Sequence, residues 1–170
     1  MPRPIAILVL AAIVSLALPA AAQDANTSPC ATKEAGQFDF WIGEWKVTAS
    51  DHLAGHNRIT KILGGCVLLE EYRGERGGYE GKSFNYYDPT DGQWHQVWVD
   101  NGGLRLHLAG RFTDGKMVLS GERIGQSGAP ITDRITWHAH PDGTVRQVWD
   151  TSTDKGASWK TIFDGLYERE

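Results

Sequence analysis

Closely spaced turn signals cut the chain into segments of roughly 7–10 residues, and that punctuation limits what it can fold into. The signals are Gly64-Gly65, Gly77-Gly78, Asp91-Gly92, Asn101-Gly102-Gly103, Asp114-Gly115, Gly125 to Pro130, Asp142-Gly143 and Asp154-Lys155-Gly156. Asx-Gly pairs supply the positive φ angles that two- and three-residue hairpins require. Strands are expected at about 44–52, 57–63, 66–73, 79–88, 93–100, 104–111, 116–123, 131–139, 144–151 and 158–168. Linked by hairpins throughout, about ten strands predict an all-β, up-and-down antiparallel barrel, whose closure removes exposed sheet edges. A β-sandwich is the alternative, but the long connections of a Greek key are missing. Phe38 to Ile42 is a compact apolar cluster that reads as one short N-terminal helix or turn.

The first residues read as an address. Arg3, the apolar stretch Ile5 to Leu18 and Pro19-Ala20-Ala21-Ala22 have the order of a secretory signal peptide over residues 1–22. The stretch is shorter than the ~20 residues that span a bilayer. A flexible N-terminal segment (23–35) and a single domain (36–170) follow. The expected location is the periplasm or outside the cell, with no membrane span once the leader is removed. In that oxidising setting Cys30 and Cys66 are an even pair and predict one disulfide. Seventeen basic against 21 acidic residues lack the footprint of a general nucleic-acid binder.

Seven tryptophans divide by position. Trp45 opens the first strand and suits a plug at one barrel end, or an ordinary core position. Ser152 to Trp159 fits the Asp-box pattern, a hairpin in which Asp154 binds turn amides and Trp159 packs beneath, with Ser158 in the Thr place. That role is structural, and one copy builds no propeller. Gln-Val-Trp occurs twice, at Gln96 to Trp98 and at Gln147 to Trp149. At period two, each Gln shares a face with its Trp. A three-residue loop at 101–103 sets Trp98 opposite Leu106 and Gln96 opposite Leu108. Aromatic area with a few placed amides suits the wall of a small-molecule pocket; a packed core in which each Gln bonds backbone is the alternative. Ser83, Asn85 and Tyr87 share a face of another strand, and the last two complete the candidate ligand-binding set: Asn85, Tyr87, Gln96, Trp98, Gln147 and Trp149.

Catalytic groups do not converge. His138 and His140 share a strand face, yet a third metal ligand is missing beside the Pro141-Asp142 turn, so no metal or cofactor is expected. His52 and His56 flank Gly55 in an expected turn, while His95 and His107 lie on neighbouring strands. No nucleophile elbow or phosphate loop is present. Glu70 and Glu71 face opposite sides of one strand, so one points inward, where burial raises its pKa. Arg73, Arg134 and Arg146 are candidate countercharges for a carboxylate ligand.

Phe38-Asp39-Phe40-Trp41-Ile42-Gly43-Glu44-Trp45, Gly65-Cys66-Val67-Leu68-Leu69-Glu70 and Asn85-Tyr86-Tyr87-Asp88-Pro89, with Trp98 to Asn101 and Arg146 to Trp149, carry a resemblance. Together they resemble an exported bacterial lipocalin-like family catalogued as a domain of unknown function. The resemblance implies a calycin-type barrel and transfers no catalytic residues. A more distant likeness to haem-binding nitrobindin-type barrels comes without a placed proximal His. The expected function is an exported barrel that binds a partly apolar, aromatic-type small molecule. The alternatives are a cofactor-free lyase or isomerase working in the barrel cavity, and a structural envelope protein with a filled barrel.

Overall fold

A computed structural model describes residues 28–170. The leader expected over residues 1–22 lies outside the described residues. Ten antiparallel strands run in chain order: β1 Gly43–Ala49, β2 His52–Ile62, β3 Val67–Gly74, β4 Glu80–Asp88, β5 Gln93–Asp100, β6 Arg105–Thr113, β7 Lys116–Ile124, β8 Pro130–Ala139, β9 Val145–Ser152 and β10 Lys160–Arg169. Each pairs with its sequence neighbour, and β1 pairs with β10, so the meander closes. Trp98 lies opposite Leu106 and Gln96 opposite Leu108, the register expected from the 101–103 loop.

One hairpin departs from expectation. The β1–β2 turn is Ser50-Asp51, both at positive φ, and not the segment around Gly55. Gly55 instead lies within β2, where a Cβ would collide with the Arg73 carbonyl of β3. The glycine serves close strand approach at a bulge between Val47 and Thr48. His52 and His56 are consequently exposed strand residues.

Two 3-10 turns, Glu34–Gly36 and Asp39–Trp41, cross one end of the barrel. Phe38 stacks on Trp41 at 5.0 Å between centroids and meets Trp94 and Trp137 edge-on at 5.5 and 5.1 Å. Phe38 and Trp41 are fully buried and form the plug. Trp45 is the wall beside it: its indole N–H donates to the Trp41 carbonyl at 2.9 Å, and its ring contacts Tyr167. The Cys30–Cys66 disulfide is formed, and the Trp94 indole donates to the Glu34 carbonyl at 3.2 Å. Residues 28–35, expected as part of a flexible segment, are thus fastened to the closed end at two points.

At the other end the β9–β10 hairpin has the expected Asp-box chemistry. Asp154 accepts from the Ser158 amide at 2.8 Å and the Ser158 hydroxyl at 2.5 Å, and the Ser152 hydroxyl donates to it at 2.7 Å. These donors hold its carboxyl down at about 2. The half-buried Trp159 ring carries the Arg134 guanidinium 3.9 Å above its centroid. Asp154→Ala is expected to lower the melting temperature and speed amide exchange across residues 153–159 while β1–β8 keep their protection. Unchanged exchange in that hairpin would count against the role given to Asp154.

Candidate functional site

Alternation sends one face of every strand inward, and the plug fills only one half of that interior. The open half holds a cavity of about 220 Å³. Trp98 and Leu106 come from the paired strands β5 and β6, Ile135 and Trp149 from the paired strands β8 and β9. Tyr72 and Tyr79 stand on one side, Phe163 and Tyr167 of β10 on the other. Its polar lining is Glu70, Gln96 and Gln147. Trp98 lies across β4 because residue 81 is glycine; a Cβ there would strike the indole. Gly81 therefore shapes the wall.

Glu70 is 3% exposed and sits at the centre of a hydrogen-bonded floor. Its Oε1 accepts from Asn57 Nδ2 at 2.8 Å, and its Oε2 accepts from Ser83 Oγ at 2.5 Å. Asn85 Nδ2 donates to Ser83 Oγ at 2.8 Å and to the Leu68 carbonyl at 3.2 Å. Gln96 Nε2 donates to Asn85 Oδ1 at 2.9 Å. No cation forms an ion pair with Glu70 among the described residues. Burial pushes its carboxyl up to about 7, against the opposing pull of the Ser83 and Asn57 donors. Glu71, one residue on, faces out to Lys82 at 2.8 Å and stays below the usual range. The opposite wall is tied together as well. The Tyr167 hydroxyl donates to Gln147 Oε1, and burial raises that phenol well above its ordinary value.

The mouth is braced by two acids, the buried Asp133 and the half-buried Asp100, on the protein's own donors. Trp149 Nε1 donates to Asp133 at 2.8 Å, and Asp133 also receives Arg123 Nε at 2.7 Å. The Tyr79 hydroxyl and the Trp98 indole both donate to Asp100, at 2.8 and 3.3 Å.

Four of the six residues expected to bind ligand are brought together on the cavity: Gln96, Trp98, Gln147 and Trp149. Asn85 and Tyr87 are not among the lining residues. Asn85 is fully buried behind Gln96, and Tyr87 lies against Trp94 toward the plug. They face inward as parity requires, but two and four residues from Ser83 along β4 carries them toward the closed half, at ~3.4 Å per residue. Parity narrows the buried carboxylate to Glu70 or Glu71, and Val67-Leu68-Leu69 has no polar alternation to choose between them. Tyr72, Phe163 and Ile135 carried no signal that separates a cavity wall from ordinary core.

The arginines do not serve the cavity. Arg134 pairs with Asp150 at 3.0 Å and Arg146 with Asp164 at 2.5 Å on the outer face, and Arg73 is exposed. The countercharge expected of them is absent because all three have outward parity. His138 lies between Lys116 and Arg146 on that face; partial burial and these cations lower its pKa. His95 stacks on Tyr86 and pairs with Asp91 at 2.9 Å, also outside. Asp88, Asp91 and His95 could converge on an ion, but the two carboxylates already accept the turn amides of Thr90 and Gln93.

No protein-family model and no curated protein matches the chain. No helix among the described residues is long and apolar enough to cross a membrane.

Proposed function

We propose that the protein is an exported small-molecule-binding barrel that holds a partly apolar, aromatic ligand between Trp98 and Trp149. The observation that carries this reading is the cavity of about 220 Å³ with Glu70, Gln96 and Gln147 on otherwise apolar walls. An engineered cavity of ~150 Å³ accepts benzene, so one or two fused rings fit here. Concave, largely apolar sites with a few placed polar groups are the usual form of ligand pockets. An open half of this size speaks against a barrel that only fills itself. The disulfide supports the periplasmic or extracellular location, since such bonds persist where thiols oxidise. The lipocalin-like resemblance of the opening motif implies the same kind of barrel.

Calorimetric and tryptophan-fluorescence titration against a panel of aromatic and lipid compounds tests the proposal. Saturable binding is expected for aromatic members, with Trp98→Ala weakening it by about tenfold or more. A panel with no saturable member rejects the binder.

A second reading rests on Glu70. A buried carboxyl near 7 lies in the range where a side chain both gives and takes protons at neutral pH. A cofactor-free lyase or isomerase would then lose turnover in Glu70→Gln while keeping its affinity. Turnover that survives the substitution excludes Glu70 as the catalyst.

A further inference from the structure

The ligand class follows from which polar atoms around the cavity are already used, given the binding role proposed above. Five aromatic side chains line the cavity with a polar hydrogen, and each hydrogen is spent on the protein. Trp98 and Tyr79 donate to Asp100, Trp149 to Asp133, Tyr72 to the Ala54 carbonyl at 2.9 Å, and Tyr167 to Gln147. The Gln147 amide nitrogen is the side-chain donor left on that wall.

The acceptors are arranged the other way. Gln96 is 2% exposed, and its Oε1 is buried with no hydrogen-bond partner. Its orientation is imposed step by step. The Leu68 carbonyl can only accept, so it takes the Asn85 nitrogen and turns Asn85 Oδ1 toward Gln96. That oxygen in turn takes the Gln96 nitrogen, with Ser83 Oγ a second, longer acceptor at 3.4 Å. Flipping Gln96 alone would set two oxygens face to face. The backbone of β3 thus leaves an empty acceptor on a residue that lines the cavity. A buried acceptor without a donor costs about 1–3 kcal/mol until one arrives.

Charge narrows the class further. Among the described residues no Lys, Arg or His lines the cavity, and Arg123 at the mouth is held by Asp133. A ligand carboxylate would be desolvated in a low-dielectric site with no cation to meet it, and where Glu70 is ionised it would also meet a like charge.

We propose that the cavity selects an aromatic compound of one or two rings bearing a neutral hydrogen-bond donor, a hydroxyl or ring N–H, which Gln96 Oε1 accepts, and that it rejects the corresponding carboxylates. Donor recognition by an otherwise orphaned acceptor discriminates strongly, because the analogue without the donor leaves the protein atom unpaired.

The test is calorimetric titration of the purified protein with three compounds of one shape: 2-naphthol, naphthalene and 2-naphthoate. 2-Naphthol is expected to bind at least about fivefold tighter than both others. In Gln96→Met the ratio of 2-naphthol to naphthalene affinity falls toward one, both compounds being measured on the same variant so that a general change in the site cancels. A smaller preference on the unaltered protein overturns the inference, as does a preference that survives in a folded Gln96→Met. Both of those results leave the binding role standing. If none of the three binds, the binding role itself falls for ring compounds of this size. The three-compound comparison decides the matter even where the variant does not fold.

Discussion

Glu70→Gln is expected to raise the unfolding free energy at pH 8 by about 3 kcal/mol, a gain that vanishes below pH 4.5. The folded barrel holds this carboxyl's pKa at about 7 against 4.5 in the open chain. Between those values the folded state keeps a proton that the unfolded chain has released. Stability from this group is therefore complete below 4.5 and is lost as pH rises through 7. Above 7 the barrel carries a buried carboxylate with Asn57 and Ser83 as donors and no counter-ion. Gln is neutral at every pH and matches the shape. Its oxygen can accept from Asn57, and its nitrogen can donate to Ser83 Oγ. Denaturant unfolding of both proteins at pH 5, 6, 7 and 8 measures the difference directly. If the variant is the less stable at pH 8, the floor stabilises the anion and the assignment of a neutral-range carboxyl is wrong.

Loss of the Cys30–Cys66 bond, by double substitution to Ser, is expected to cost about 4 kcal/mol. The closed loop spans a separation of 36 residues and contains the plug, β1 and all of β2. Opening it releases chain entropy in the unfolded state. It also frees residues 28–35, which are otherwise held by the Trp94 to Glu34 hydrogen bond and the Ser28 hydroxyl at Cys66. For a domain of this size the cost corresponds to a fall of roughly 10 °C in melting temperature. Phe38 and Trp41 sit inside the loop, so plug opening should appear first as loss of near-ultraviolet dichroism from their stacked rings. A melting temperature unchanged by the substitution would show that the plug is held by packing alone.

The barrel was legible from the turns because Asx-Gly pairs have few other uses in a strand-rich chain. Its one misplaced hairpin shows the limit of that rule. Gly55 has the same residue type as the turn glycines, but it answers to the neighbouring β3 backbone, while Ser50 and Asp51 turn the chain without glycine. The pocket was partly legible for a similar reason. Parity assigned Gln96, Trp98, Gln147 and Trp149 to one side of their strands, and the structure sets all four on the cavity. It assigned Asn85 and Tyr87 as correctly to the inner face, yet depth along the barrel is not a property of alternation. How far the cap reaches depends on Phe38 and Trp41 lying across the end, contacts made over dozens of residues of chain.

By itself the sequence determined the strand number, the hairpin order, the cysteine pair and the shared face of each Gln-Trp repeat. Each is a local matter of turn chemistry, period two or an even count. The tertiary structure alone decided which of Glu70 and Glu71 is buried, which half of the interior stays open, and that Gln96 is left with an unclaimed oxygen. Those outcomes depend on strand register and on which donors are already taken across the barrel. Both arise only when residues distant in the chain are brought face to face.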